Sequence, residues 1–303
     1  MARKKMSSLA SSGPKTVRIA VTSFLIDESS WSKAAADSPD LSRDRYARLV
    51  RLSNAVVRAR PRPDYVVFPE LAVPRRWIRT LAHHFLKEGI SLIAGVEYAR
   101  LKSAPSANVV NEARLYLTDN RLGYSSWCAL RQRKGLPAHH ERDELRSRFG
   151  LTLAPIDAAA CQKRIYRHFG FSFGLLICSE LSDISNREKM RGKVDNLFVL
   201  SWNRDLESFS SLVEASVLDI HAFITLVNNR RYGDSRVRAP FQDHWRRDLI
   251  RVKGGLDDYF VVTELDVETL REFQSHAEPP AKPFKPTPEG FEIADWRYTI
   301  PGG

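Results

Sequence analysis

Short, nearly continuous apolar runs alternate along the chain with longer stretches in which apolar residues recur at helical spacing. The apolar runs are rich in β-branched residues, which is typical of strands buried on both faces. They predict strands at residues 17–24, 65–70, 91–98, 111–118, 171–178, 196–202, 223–229 and 259–266. Apolar positions three or four residues apart predict helices at residues 41–59, 74–89 and 207–222. This alternation predicts an α/β fold around a buried sheet.

The chain shows no internal repeat and no clear linker, so residues 15–270 are predicted to form one domain. Residues 1–14 are basic and polar, lack the apolar core of a signal peptide and are predicted to be flexible. Residues 271–303 include the proline-rich stretch EPPAKPFKPTPEG, which starts at Glu278. Because proline favours extended conformations, this tail is expected to lie on the surface or on a partner subunit.

The 303 residues carry a formal net charge of +11, and arginine accounts for most of the basic excess. With 43% hydrophobic residues, the chain can bury a large core, which excludes disorder throughout. A pI near 9.7 favours anionic surroundings such as nucleic acid, acidic partners or anionic ligands. An enzyme with a basic surface explains the same charge, so both interpretations stay open.

The cysteines Cys128, Cys161 and Cys178 are odd in number and form no C-x-x-C pair. This arrangement argues against a disulfide framework and against a zinc cage, and it predicts a reducing, cytoplasmic location without a bound metal. The chain has no apolar stretch of about 18 residues, so no membrane span is expected.

Three reactive side chains lie at predicted strand ends or in the loops beyond them, where functional groups of α/β folds collect. Glu70 follows the run YVVFP, whose proline is expected to end the strand and turn the acid out of it. Cys178 ends the run GLLIC, and Lys134 lies in RQRKGLP. Each residue alone has an ordinary explanation: a buried thiol is usually a core residue, and a lysine among arginines usually belongs to a solvated turn.

Together these groups can perform covalent acyl transfer. Glu70 would take the thiol proton, while Lys134 and the backbone N–H behind Cys178 would stabilise the oxyanion. His139 and His140 are not needed as a base and are expected in a polar loop. Glu180 is close to the thiol in sequence, but a residue next to a strand end is expected to point away from it.

The motifs YVVFPEL, RQRKGLP and GLLICSEL resemble those of the nitrilase, or carbon–nitrogen hydrolase, superfamily. In this resemblance, the strand NVVNEARLYLTDNRLGYSSW leads into the second motif, and the family's Glu–Lys–Cys triad corresponds to Glu70, Lys134 and Cys178. A fourth, accessory acid usually follows the lysine; Glu141 fits that place best, with Glu144 as the alternative. By the same resemblance, which extends to NLFVLSW, the substrate is expected to contact Ser179, Trp202 and Asn203.

The resemblance covers about residues 15–270 and implies a four-layer αββα sandwich that uses no metal or organic cofactor. It also implies a homodimer or higher oligomer in which subunits pair across a helical layer. The activity it implies is hydrolysis of a non-peptide carbon–nitrogen bond through a cysteine thioester. A small-molecule amide is the expected substrate, and a nitrile is the less favoured one.

Residues 228–253, NNRRYGDSRVRAPFQDHWRRDLIRVK, depart from the family pattern by their density of arginine. An arginine-lined pocket would suit a carboxylate or phosphate on the substrate. We favour the alternative that these arginines pair with Asp234, Asp243 and Asp248 at a subunit contact. The charge also leaves room for a different function, a basic module associated with nucleic acid or a partner protein. The interspersed acids and the lack of an RNA-binding signature argue against it.

Overall fold

The computed structural model describes residues 13–100, 108–121, 123–135, 137–154, 163–276 and 281–298. Cys161, most of the basic N-terminal segment and the start of the proline-rich stretch lie outside the described residues. Within the described ranges, no helix has the length and apolar character needed to cross a membrane.

The secondary structure consists mostly of β-strands, with α-helices between some of them. The strands are β1 (Thr16–Ser23), β2 (Tyr65–Val73), β3 (Ser91–Arg100), β4 (Asn108–Asp119), β5 (Ser126–Arg133), β6 (Thr152–Leu153), β7 (Ile165–His168), β8 (Phe171–Ile177), β9 (Asn196–Ser201), β10 (Phe223–Asn228), β11 (Ser235–Arg238), β12 (Asp248–Val252) and β13 (Tyr259–Asp266). The α-helices are α1 (Glu28–Ala35), α2 (Arg43–Arg58), α3 (Ile78–Leu86), α4 (His139–Phe149), α5 (Ile184–Met190), α6 (Leu206–Ile220) and α7 (Val267–Ser275).

The strands form two sheets. The first has the order β13-β1-β2-β3-β4-β5, with β6 paired to β4, and the second has the order β12-β11-β10-β9-β8-β7. Parallel pairing joins β1 to β2, β2 to β3, β8 to β9 and β9 to β10. These parallel strands lie in the interior of both sheets, so their carboxyl ends form one edge where loops can carry functional groups.

The two sheets pack face to face. Val67 and Ile93 of the first sheet share a hydrophobic cluster with Phe173 and Phe198 of the second. The ring centroid of Tyr65 lies 5.9 Å from that of Phe173 and 6.2 Å from that of Phe198. Burying each large apolar side chain stabilises the fold by about 1.5–3 kcal/mol relative to leaving it exposed. This shared core holds the functional edges of the two sheets against each other.

Helices cover both outer faces. On the first sheet, Leu49, Leu52 and Phe85 of α2 and α3 pack against Phe68 in a second cluster. On the second sheet, α5 and α6 lie beside each other and α6 packs on β10. The architecture is therefore a four-layer αββα sandwich, which confirms the predicted fold class.

The pairing of β2 with β3 stops after Phe68, as expected from Pro69, and resumes only at Val73. The expected strand end at Glu70 is wrong, because the strand continues to Val73. Gly95 of β3 faces this irregularity, where an added Cβ would lie 2.4 Å from the Pro69 carbonyl oxygen. Glu70 therefore lies inside a bulged strand rather than beyond its end, because a bulge can redirect one side chain without ending the strand.

Two further boundaries differ from expectation. The strand expected over NVVNEARLYLTDNRLGYSSW is a pair of antiparallel strands, β4 and β5, so that Lys134 directly follows β5. The predicted helix at residues 74–89 begins at Ile78, because the residues before it form a turn in which the Trp77 N–H bonds to the Pro74 carbonyl.

The polar loop expected around His139 and His140 is the first turn of α4. The Glu141 side chain accepts a hydrogen bond from the Ala138 N–H (3.2 Å), and Gly150 ends the helix with a φ of 63°. Only Glu141 and Leu145 of this helix are buried, so it has no apolar stripe that the sequence pattern could reveal.

The C-terminal segment packs on the domain. The boundary suggested at residue 270 falls inside α7, whose Arg271 bonds to the buried Asp195. Arg297 is also buried and bonds to Asp195 (3.0 Å), and Phe284 stacks on Phe241 with centroids 5.0 Å apart. Residues 281–298 therefore pack on the same chain, against residues that flank strands of the second sheet.

Candidate active site

Glu70, Lys134, Glu141 and Cys178 come together in one buried chamber. Glu70 lies in the bulge of β2, Lys134 directly after β5, and Cys178 directly after β8. Glu141 belongs to the first turn of α4. The groups therefore come from both sheets and meet at the edge where the sequence predicted them.

The Lys134 ammonium connects the two carboxylates. Its Nζ lies 2.9 Å from Glu70 Oε1 and 2.6 Å from Glu141 Oε2. Of the two candidates for the accessory acid, Glu141 is thus the one seen to contact the lysine, while Glu144 is half-buried and lines the same chamber. One cation compensates two buried acids, which leaves an excess of negative charge beside the thiol.

Neutral groups hold both carboxylates in place. The Asn111 side-chain amide donates to Glu70 Oε1 (2.7 Å) and to Glu141 Oε1 (3.1 Å), and the Tyr98 hydroxyl donates to Glu141 Oε1 (2.7 Å). Sequence reasoning missed both residues. Their signal was weak: each is one polar residue among others in a strand, and its role becomes apparent only when its neighbours in space are known.

The backbone at Cys178 is bent to present the thiol. Its φ is +50°, a left-handed conformation that costs a residue with a side chain about 1–3 kcal/mol. The turn continues as a short 3-10 helix over Cys178–Ser182. The Ser201 hydroxyl donates to Sγ at 3.5 Å. A strained residue at a strand end is typical of a functional position, because the surrounding structure must hold it there.

Burial and charge set the protonation of the cluster. Burial, assisted by the Glu70 carboxylate, raises the pKa of the Cys178 thiol to about 12 against the opposing effect of Lys134. Burial raises the pKa of Glu70 despite the Lys134 ammonium, and Glu141 adds to the rise. Burial acts to raise the pKa of Glu141, but Lys134 and hydrogen bonds lower it further, so the pKa lies below its ordinary value. The pKa of Lys134 lies well above its ordinary value, because its two carboxylates outweigh its burial. At rest, the thiol is therefore neutral and the lysine charged.

The residues expected to bind substrate differ in their surroundings. Trp202 lines the chamber, and its backbone N–H donates to Glu70 Oε2 (3.0 Å). Ser179 lines a cleft on the other side of Cys178. Asn203 lines that cleft too, but its amide bonds to the backbone of Asp205 through Nδ2 (2.7 Å) and Oδ1 (3.2 Å). In this structure, the Asn203 side chain shapes the turn into α6.

The chamber and the cleft differ greatly in size. The chamber has a volume of about 30 Å³, and Trp31, Leu71 and Trp202 are among the residues that line it. The cleft has a volume of about 750 Å³ and includes Phe209 and Leu212 of α6. Cys178 lines both, so a molecule bound in the cleft can place one end in the chamber. Among the described residues, no group of three or more His, Cys, Asp or Glu side chains could hold a metal ion.

The arginines of residues 228–253 pair with acids of the same chain. Asp234 accepts from Arg236 and from Arg251 (2.7 Å). Arg238 bonds to Asp248 (2.5 Å) and also contacts a half-buried acid on α6, Glu214.

Glu214 also contacts Arg247, so one carboxylate joins two arginines. Asp243 lies 3.9 Å from Arg246 and 3.6 Å from Lys282. Pairing with Asp234, Asp243 and Asp248 is as expected, while the expected subunit contact stays a prediction; Glu214 was missed because it comes from a distant helix. These pairs neutralise the arginines in place, which removes support for an arginine-lined substrate pocket in this segment.

No protein-family model matches the sequence, and no curated protein matches it. Solved structures do match. Nit3 of Saccharomyces cerevisiae, a member of branch 10 of the nitrilase superfamily, is 17% identical with a TM-score of 0.63, over 89% of this chain and 97% of that chain. An amidase from Nesterenkonia sp. is 16% identical with a TM-score of 0.56, over 82% of this chain and 90% of that one.

A variant of the Nesterenkonia amidase carries the acetamide moiety of fluoroacetamide covalently added at its active-site cysteine. It is 14% identical with a TM-score of 0.57, over 84% of this chain and 92% of that one. At these identities, the likeness concerns the fold. The chain therefore has the nitrilase-superfamily fold that its three motifs predict.

Proposed function

We propose that this protein is a thiol hydrolase of the nitrilase superfamily that cleaves the carbon–nitrogen bond of a small-molecule amide. One observation carries the proposal: a buried Glu70–Lys134–Glu141 cluster lies in one chamber with the Cys178 thiol. The covalent adduct at the cysteine of the Nesterenkonia amidase supports the role of the thiol.

In the first step, Glu70 takes the thiol proton as Sγ attacks the amide carbon. The raised pKa of Glu70 makes its carboxylate a stronger base for a thiol that is neutral at rest. The Lys134 ammonium and the backbone N–H that follows Cys178 stabilise the oxyanion. In a buried site, one such donor contributes on the order of 3–4 kcal/mol to the barrier reduction.

In the second step, Glu70 passes the proton to the departing nitrogen, which leaves as the amine, and an acyl thioester remains. A water molecule then occupies the place of the amine and loses a proton to Glu70 as it attacks. The proton returns to the thiolate, and the carboxylic acid leaves. Glu141 keeps Lys134 in position throughout, because its carboxylate is the shorter contact of the ammonium.

The size of the chamber favours an amide whose nitrogen carries no substituent. The groups that move the proton line the chamber, so the departing nitrogen must lie there. The chamber, at about 30 Å³, is far smaller than the cleft, at about 750 Å³, so the chamber suits ammonia and the hydrolytic water better than a substituted amine. The acyl group would extend into the cleft, whose volume of about 750 Å³ is typical of small-molecule sites.

Mass spectrometry of the intact protein tests this proposal with a panel of primary amides and their N-methyl counterparts. We expect an acyl adduct on Cys178 from primary amides, and adduct formation at least about 100-fold slower from the N-methyl series, since about 1 Å of misplacement costs that much. The Cys178→Ala variant should keep the fold and form no adduct. If no amide acylates Cys178, the hydrolase proposal is wrong; equal rates for both series would refute only the preference for ammonia.

The alternative function, a basic module that binds nucleic acid or a partner protein, gains no support from residues 228–253, because their arginines are largely neutralised within the chain. Nucleic-acid affinity that falls steeply with salt would favour this alternative. A homodimer and a cytoplasmic location stay predictions.

A further inference from the structure

Glu180 is a buried acid that the proposed mechanism does not use. It lies two residues after Cys178 and is 4% exposed. Its Oε1 accepts from the backbone N–H of Gly135 (2.5 Å) and contacts the Lys163 ammonium. Its Oε2 accepts from the backbone N–H of Ile177 (2.9 Å). The carboxylate thus points away from the thiol, as expected, into a site that supplies three donors.

The two backbone donors identify the role of this carboxylate. Gly135 directly follows Lys134, and Ile177 directly precedes Cys178. The segments belong to different sheets, because β5 ends the first sheet and β8 lies in the second. Each oxygen of Glu180 therefore binds one of the two segments, and the carboxyl group fixes the distance between them.

We propose that Glu180 is a positioning residue that holds the Lys134 ammonium at its working distance from the Cys178 thiol. The proposal rests on the proposed function, in which this ammonium stabilises the oxyanion. Lys163 neutralises the buried carboxylate, so the connection adds no net charge beside a site that already has excess negative charge. The Asn186 side chain bonds to the Glu180 carbonyl (3.0 Å) and fixes the turn itself.

A carboxylate of this length is needed for geometric reasons. Three donors require lone pairs on both oxygens, whereas glutamine offers one oxygen and would turn an N–H₂ group toward a donor. Aspartate keeps the charge but is one methylene shorter, so it cannot reach both backbone N–H groups from the same Cα. Catalytic geometry is sensitive to such changes, because a misplacement of about 1 Å can cost on the order of 100-fold in rate.

The Glu180→Asp variant of the full chain tests the proposal without knowledge of the substrate. The probe is iodoacetamide, and the alkylation rate of Cys178 at fixed alkaline pH is measured by peptide mass spectrometry. We expect this rate to fall about tenfold, since withdrawal of the ammonium would raise the pKa of the thiol by about one unit while the local charge is unchanged. An unchanged or faster rate would overturn the proposal.

Glu180→Gln is the second variant, in case the first is poorly folded. Loss of the negative charge alone would speed alkylation, whereas displacement of Lys134 would slow it. A slower rate therefore supports positioning, and a faster one contradicts it.

Glu214→Asp is the matched control, because it shortens another acid that joins two segments and that lines neither the chamber nor the cleft. It should lower the melting temperature and leave the alkylation rate unchanged. With a primary amide that acylates Cys178, Glu180→Asp should lower kcat more than it raises KM. If no amide acylates the wild-type protein, the hydrolase proposal fails, but the alkylation rates still test Glu180.

Discussion

Two regions of this molecule bury charge densely, and they do so in opposite ways. In the chamber, one lysine contacts two carboxylates beside a thiol. In the arginine network around Glu214 and Asp234, each of these two acids is shared by two arginines, and Asp248 adds a third carboxylate. The chamber therefore has more acids than bases, whereas the charge of the arginines in the network is largely paired.

The difference matters because the carboxyl and thiol groups of the chamber can exchange protons, whereas the guanidinium groups of the network cannot. The chamber contains carboxyl and thiol groups whose pKa values are displaced by burial and by each other. Guanidinium groups keep their protons over the physiological range, so the network can pair charges but cannot exchange protons. The region with the greater density of charge in the sequence thus pairs its charges within the chain, and the sparser region is the one in which we propose the chemistry.

Replacing Lys134 by methionine is the strongest test of this contrast. It leaves Glu70 and Glu141 buried without their cation, and we expect a loss of about 3–5 kcal/mol in the free energy of unfolding. Acylation of Cys178 by a primary amide should fall about 100- to 1000-fold, because the oxyanion loses a charged donor. Denaturant titration and intact-protein mass spectrometry measure the two effects.

Arg247→Met is the control for that variant, because it removes a buried cation from the network instead. It should reduce the free energy of unfolding and leave the acylation rate unchanged. A loss of acylation comparable to that of Lys134→Met would show that the two regions are not functionally distinct.

The pH dependence of Cys178 alkylation tests whether the acids or the lysine of the chamber dominate the surroundings of the thiol. The pKa of Cys178 is raised to about 12, so the neutral thiol predominates at every lower pH. The rate of alkylation of Cys178 by iodoacetamide should therefore rise about tenfold per pH unit without a plateau below the raised pKa. Peptide mass spectrometry separates this site from the exposed Cys128. A plateau near neutral pH would mean that the ammonium dominates the thiol's surroundings.

The smallest effect is expected from Glu214→Gln in the network. This change weakens the contacts to Arg238 and Arg247 and should reduce the free energy of unfolding by about 1–3 kcal/mol. The acylation rate of Cys178 should not change. A decrease in the acylation rate without a change in thermal unfolding would contradict the functional distinction between the chamber and the network.

The apolar pattern predicted eight of the strands and three of the helices among the described residues, whereas the four-layer arrangement was implied only by the family resemblance. The eight predicted strands are present because continuous β-branched runs have few alternatives to a buried sheet. Helix α4 could not be predicted in this way, since its stability depends on Glu141 and Gly150 at its ends rather than on an apolar face. The bulge at Glu70 could not be predicted either, because it depends on Gly95 of the neighbouring strand.

Within the candidate site, the sequence determined the reactive groups: an acid, a lysine and a cysteine, each at or beside a strand end and each in a distinctive motif. Only the tertiary structure decided how they act together. It selected Glu141 as the acid in contact with Lys134, added Asn111 and Tyr98, and neutralised the arginines of residues 228–253. The physical reason is that hydrogen bonds and pKa shifts depend on distances of a few ångströms between segments far apart in the chain. Local pattern predicts which segments are buried, but not which side chains meet.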